Sequence, residues 1–222
     1  MPPTPGTQRG RPRPPPARAA ANAARRAPLR HGPTGGPPTL YLTFDDGPEP
    51  SYTPEVLDVL AAYDVPATFF VIGRKVREHP ELAREAAAAG HSVQNHTLSH
   101  SDLTRLSRAA KTAEIVDGVG AIWAAAGREP RCLRPPYGDV DAATVRRARE
   151  LQTQLVLWDL DPRDWTRPGV QRIVRRVLAG AHPGGIVLLH DGGKDRRQTI
   201  AALRQLLPAL LQRGYRFASL CR

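Results

Sequence analysis

Five short stretches hold most of the residue types that could move protons or hold a metal: Asp45-Asp46-Gly47, Asn95-His96-Thr-Leu-Ser-His100, Arg134-Pro-Pro-Tyr137-Gly138, Asp159-Leu-Asp161-Pro-Arg-Asp164-Trp165 and His190-Asp191-Gly192. His96 and His100 are four residues apart. On a helical turn they share a face and could ligate one metal ion. Histidines at this spacing are more often plain surface or core residues, so a neighbouring carboxylate is needed to make the pair a candidate site. Asp45 and Asp46 would point to opposite sides of a regular strand. Gly47-Pro48 lets the chain turn, and both could then enter one site. Two buried like charges are costly unless a cation or donors compensate, although Asp-Gly is also a frequent turn pair. Arg134-Pro-Pro-Tyr137-Gly138 could be a rigid loop and nothing more. Asp161 and Asp164 could be caps or turn residues. His190 ends an apolar run beside a carboxylate and could donate a proton near neutral pH. His31, His79, His91 and His182 show no comparable company and read as tail, helix-cap or turn residues.

The elements between these stretches alternate. Strands are predicted at 40–44, 67–72, 92–94, 132–134, 154–158, 185–190 and 215–220. Helices are predicted from Thr53 (N-cap, with Pro54 at the first helical position), at 80–89, 107–126, 142–150, 170–179 and 198–212. Alternation of this kind argues for parallel βα units, in a barrel or a doubly wound sheet. Each polar stretch begins at or just past the end of a strand. In a βα barrel those ends converge on one rim, so residues distant in sequence would share one mouth.

The first 38 residues differ from the rest. They carry seven Arg, no Asp, Glu or Lys, and eleven of the 23 prolines. A segment this poor in large apolar residues cannot offset its ordering entropy and reads as a disordered tail, leaving 39–222 as the folded domain. No apolar stretch is long enough for a signal peptide or a membrane span. The chain's net charge of +11 falls largely on the tail. That charge could contact anionic cell-wall polymers, but no aromatic residues are interleaved to stack on bases, which argues against specific nucleic-acid recognition. Two cysteines exclude a disulfide-dense miniprotein and a zinc ribbon. Cys132 and Cys221 could be paired or free. No Gly-x-Ser-x-Gly elbow supports a serine esterase.

Taken together, Thr43-Phe-Asp-Asp-Gly-Pro48, His96-Thr-Leu-Ser-His100, Arg134-Pro-Pro-Tyr137, Asp161-Pro-Arg-Asp-Trp165 and Leu188-Leu-His190 resemble the polysaccharide deacetylase family (NodB homology, carbohydrate esterase family four) in type and order. The resemblance covers about 39–222 and implies an irregular (β/α) barrel, usually of seven repeats. It implies that Asp46, His96 and His100 hold one divalent metal ion, usually Zn²⁺, with Co²⁺ or Ni²⁺ as other candidates. Asp45 would be the general base, oriented by Arg134. His190 would be the general acid, with Asp164 supporting its protonated state. Tyr137 would offer its backbone N–H to the oxyanion, and Trp165 and Leu188 would wall the acetyl methyl. The implied activity is hydrolytic N-deacetylation of N-acetylglucosamine polymers such as peptidoglycan or chitin-type oligomers. An O-deacetylase such as an acetylxylan esterase is the near alternative, and a non-catalytic glycan-binding protein the distant one. Such a substrate suggests secretion or wall association.

Overall fold

A computed structural model describes residues 28–222. Seven strands run β1 (Thr39–Asp45), β2 (Thr68–Val71), β3 (Ser92–Asn95), β4 (Cys132–Leu133), β5 (Gln154–Leu155), β6 (Ile186–His190) and β7 (Arg216–Phe217). All pairings are parallel, in the order β5-β4-β3-β2-β1-β6, with β7 added to β1 at Thr39 and Leu40. The helices are α1 (Thr53–Ala61), α2 (Gly73–Glu78), α3 (Pro80–Ala88), α4 (Arg108–Ala126), α5 (Ala142–Glu150), α6 (Val170–Gly180) and α7 (Arg197–Gln212). The sheet curls, and the gap between β5 and β6 is bridged rather than closed. Leu29 pairs with Val156 and Leu160 pairs with Val187. This is the irregular (β/α) barrel that the family resemblance implies, one of the two arrangements that the alternation left open.

Alternation along the strands decides what faces the mouth. In β1, Leu40, Leu42 and Phe44 join the main core with the helices. Tyr41 belongs to a separate cluster with Phe70, Cys132, Val156, Ile186 and Leu220. On the same face as Tyr41, Thr43 and Asp45 climb towards the mouth, as strand geometry requires. In β6, Val187 and Leu189 enter the main core, while Leu188 and His190 line the cleft. The chain beyond β7 crosses the other end of the barrel. There Leu220 N–H donates to Thr68 Oγ1 (2.8 Å), Gln94 Nε2 donates to the Cys221 carbonyl (3.1 Å), and Cys132 and Cys221 form a disulfide.

Several expectations need correcting. Residues 28–38, assigned to the disordered tail, are tied to the barrel: Leu29 N–H donates to Leu155 O, Leu157 N–H to Leu29 O, and Gly32 N–H to Gly184 O. The disorder assignment therefore does not hold for 28–38. Residues 1–27, and the wall contact assigned to their arginines, lie outside the described residues. Thr53 is not an N-cap but the first residue of α1. Its hydroxyl is taken up by Asp191 Oδ2 (2.6 Å) and by Glu49 N–H (2.7 Å). Helix α2 was not anticipated. Among the described residues no helix is long and apolar enough to cross a membrane.

Candidate active site

The strand ends bring Asp46, His96 and His100 together. Asp46 Oδ1 lies 3.5 Å from His96 Nε2 and 3.2 Å from His100 Nε2. The histidines do not share a helical turn, as their spacing suggests. They follow the end of β3, and Thr97 (φ 68°) and His100 (φ 62°) take left-handed backbone. The imidazoles meet edge to face at 4.9 Å. Thr97 Oγ1 accepts from His100 N–H (3.0 Å), and Asn95 Oδ1 accepts from Thr97 N–H (2.9 Å), which holds this unfavourable backbone in place. Asp46 itself has φ 73°, which turns its carboxylate inward beside that of Asp45.

His96 Nδ1 lies 2.6 Å from the Arg134 carbonyl. A carbonyl only accepts, so Nδ1 carries a proton and Nε2, the nitrogen that can offer a lone pair to an ion, faces Asp46. Asp46 Oδ1 is buried and has no hydrogen-bond donor among the described residues. A lone pair and an orphaned carboxylate oxygen aimed at one point are what a divalent cation satisfies, so the residues fit a metal ion. The electrostatics agree. Burial works against the charge on Asp46, but His100 and His96 outweigh it and hold the carboxyl far below the usual carboxylate range. Burial pushes His96 down, yet Asp45 and Asp46 pull it above its ordinary value. The cluster attracts positive charge.

Asp45, 3% exposed, sits against that cluster, its Oδ2 3.8 Å from His96 Nε2. Its Oδ1 accepts from Arg134 Nη1 at 2.7 Å. Arg134 is wholly buried and is fixed by Thr43 Oγ1 (2.7 Å), the Leu157 carbonyl (3.0 Å) and the Phe70 ring 4.1 Å from its guanidinium carbon. On the other side of the mouth, His190 Nδ1 lies 2.7 Å from Asp164 Oδ1, and His190 N–H donates to Asp164 Oδ2 (2.9 Å). Burial lowers the His190 pKa, but Asp164 foremost, then Asp45 and Asp46, raise it overall above 6.5.

These groups open into a cleft of about 470 Å³. Tyr137 (65% exposed, φ 64°) packs edge-on against His100 at 4.8 Å, and Trp165 (46% exposed) stands opposite under Arg163. Leu188 lies buried between them and the floor. Every residue assigned to the site by sequence therefore reaches this mouth or, for Arg134 and Asp164, braces a residue that does.

A family model described as polysaccharide deacetylase matches residues 32–156. The chain belongs to that family. A peptidoglycan-N-acetylglucosamine deacetylase of Bacillus cereus is 45% identical over 184 residues, covering 81% of this chain and 85% of its own. A chitooligosaccharide deacetylase of Bradyrhizobium sp. is 47% identical over 197 residues, covering 83% and 90%. A solved peptidoglycan N-acetylglucosamine deacetylase, in complex with an N-hydroxy benzamide, superposes with a TM-score of 0.83 at 32% identity over 86% of this chain and 90% of that one.

For this polysaccharide deacetylase family member, sequence reasoning assigned no supporting role to several residues that brace or line the site, two of which, Asp161 and Asp191, lay within the candidate stretches. Thr199, at the start of α7, donates to Asp164 Oδ2 (2.8 Å). Asp191, fully buried, takes the Thr53 hydroxyl, and a Cβ on Gly47 would collide with its carboxylate at 2.2 Å. Burial raises the Asp191 pKa to about 7. Trp158, Asp161, Lys194 and Arg196 also line the cleft. A threonine near a helix start or an Asp after His190 carries no signal of its own. Only the placement of neighbouring strand ends reveals these roles.

Proposed function

We propose that the protein is a metal-dependent hydrolase that removes N-acetyl groups from N-acetylglucosamine-containing polysaccharide, of peptidoglycan or chitin type, and releases acetate. The observation that carries this reading is the convergence of Asp46, His96 and His100 beside a buried Asp45 clamped by Arg134. The names of the relatives support the substrate class. Asp46, His96 and His100 would hold the ion, which when bound polarises the acetamide carbonyl and acidifies water.

The chain's own groups supply the rest. Asp45 takes a proton from the attacking water as the new C–O bond forms at the acetyl carbon. The Tyr137 backbone N–H faces the developing oxyanion, a contact worth about 3 kcal/mol when a preorganised donor makes it. His190, its Nδ1 held by Asp164, delivers the Nε2 proton to the amine as the C–N bond breaks. Trp165 and Leu188 enclose the methyl and keep bulk water off it. The products are acetate and a free amino sugar. The same reading makes the protein secreted or wall-associated. The Cys132–Cys221 disulfide supports that, since such bonds persist in oxidising compartments.

Acetate release by the purified chain, measured on chitooligosaccharides, peptidoglycan and acetylated xylan, tests the proposal. Release from the first or second is expected, silenced by chelation and restored by Zn²⁺, Co²⁺ or Ni²⁺. Release from acetylated xylan alone would make it an O-deacetylase, indifference to chelator would remove the metal, and no release on any substrate would favour a glycan-binding role.

A further inference from the structure

A second cluster of metal-ligating side chains lies outside the cleft. His31 Nδ1 is 2.6 Å and His182 Nε2 is 3.0 Å from the same oxygen, Asp159 Oδ2. The two rings are 6.0 Å apart between centroids. His31 comes from the segment expected to be disordered, Asp159 from the chain bridging β5 to β6, and His182 from the loop between α6 and β6. Asp159 Oδ1 accepts the Ile186 N–H at 2.7 Å. This places the cluster at the start of β6, four residues and about 13 Å along the strand from His190. The reading of His31 and His182 as plain tail and turn residues is thereby overturned.

We infer that His31, Asp159 and His182 form a second site for a divalent transition-metal ion, separate from the catalytic one. The decisive detail is the orientation of His182. Its Nδ1 lies 3.1 Å from the Pro183 carbonyl, which only accepts, so Nδ1 carries the proton. Nε2 is then the nitrogen turned to a carboxylate oxygen, and the 3.0 Å approach is one that a shared proton or a shared metal ion would hold together. His96 faces Asp46 in the same way, with its Nδ1 on a backbone carbonyl. All three ligand atoms lie within 4.8 Å of one another, as do those of Asp46, His96 and His100. Two imidazoles and one carboxylate suit Zn²⁺, Cu²⁺ or Ni²⁺, with solvent completing the shell.

The geometry needs little adjustment. Tetrahedral bonds of about 2.1 Å put ligand atoms about 3.3 Å apart. The two separations from Asp159 Oδ2 are shorter, and the His31 side chain, 63% exposed, is free to yield. Asp159 is the anchor, with its side chain 12% exposed and its second oxygen engaged by the backbone, the arrangement that orients ligating carboxylates elsewhere. A bound ion would clip residues 28–38 across the open seam between β5 and β6, where the sheet is held only by isolated bridges. The function of this site is structural, and it leaves deacetylation at the cleft untouched.

The test is a zinc count on the full chain. Metal-stripped protein is dialysed against micromolar Zn²⁺ and the bound metal measured. Two ions per chain are expected for the parent, one for His31→Gln/His182→Gln, and one for His96→Ala/His100→Ala. Zinc should also slow amide hydrogen exchange at Leu29 and Leu157 in the parent, but not in His31→Gln/His182→Gln, whose acetate release stays at the parent level. A single ion in the parent, or a count unchanged by His31→Gln/His182→Gln, would overturn the site and leave a protonated-histidine ion pair in its place.

Discussion

Asp46 with His96 and Asp164 with His190 are built from the same two residue types within one mouth, yet the two pairs are wired in opposite senses. His96 Nδ1 meets a backbone carbonyl, which leaves Nε2 bare towards a carboxylate oxygen that has no donor. His190 Nδ1 meets the carboxylate itself, and that carboxylate is already satisfied by Thr199 and by a backbone N–H. The first pair is arranged to take a cation. The second stores a proton. What separates a ligand from an acid here is the partner of Nδ1, because it decides which ring nitrogen is free and what charge the ring prefers. Residue type and distance alone would not distinguish them.

Removing one bare nitrogen from the first pair should have the largest effect. His96→Ala is expected to lose both the cleft metal and all but about 10⁻³ of the activity, with metal content and acetate release falling together. Asp45→Asn should cost about 10³-fold while the metal stays, since Asp45 acts on the water's proton. If Asp45→Asn lost the metal as well, Asp45 would belong with the ligands and not beside them.

Asp164→Asn sharpens the second half of the contrast. The variant is expected to keep the cleft metal and lose about 10²-fold in rate. The pH profile should move too. His190 acts when protonated, and Asp164 raises its pKa above 6.5. Activity should therefore fall as pH rises through that raised value. Without the carboxylate the alkaline limb should shift to lower pH. An unshifted limb would mean that another group sets it. Activated aryl acetates, whose leaving groups need little protonation, should lose far less than amide substrates when His190→Ala is tested in parallel.

How much of this was legible from the chain alone follows from the same contrast. The strand-end positions of Asp45, His96, Arg134 and His190 could be read because alternation and apolar runs mark strands, and strand ends must meet at one rim. The wiring could not. Thr97 and His100 adopt left-handed backbone without being glycine, so nothing in their identity announces the turn that joins the two imidazoles. Thr53 looks like a helix cap and is instead drawn to Asp191. His31 sits among prolines and arginines, and its partner Asp159 is 128 residues away. Local composition showed neither its contacts nor the ties that hold 28–38 to the barrel. The disulfide likewise joins residues 89 apart, through a C-terminal segment that crosses the barrel instead of extending a strand.

That disulfide connects the mouth to the far end of the barrel, since Cys132 precedes Arg134 by two residues. Cys132→Ser/Cys221→Ser should lower stability by about 3 kcal/mol, mainly by freeing the unfolded chain. Denaturant midpoints in oxidised and substituted protein measure it. Arg134 is held from four other directions, so kcat at 25 °C is expected to change less than twofold. A larger drop in kcat would show that the clamp on Asp45 depends on the C-terminal segment at the other end of the barrel.

His91 offers the smallest effect and a control for both pairs, because no carboxylate stands beside it. Burial lowers its pKa to about 4, with the Arg222 charge adding to the effect. Its Nδ1 accepts the Ala67 N–H at 3.2 Å, a bond that protonation would break. In the unfolded chain His91 takes a proton near pH 6.5, whereas the folded protein resists until about pH 4. Protons therefore favour the unfolded state across that window, and the stability linked to this residue, present above pH 6.5, declines as pH falls towards 4. His91→Gln should flatten this part of the curve, so that the melting temperature of the parent drops further between pH 7 and 5 than that of the variant. Equal drops would mean that burial at this position is too shallow to exclude the charge, and that the carboxylate beside His190 overcomes less than the full cost of placing an imidazolium in this fold.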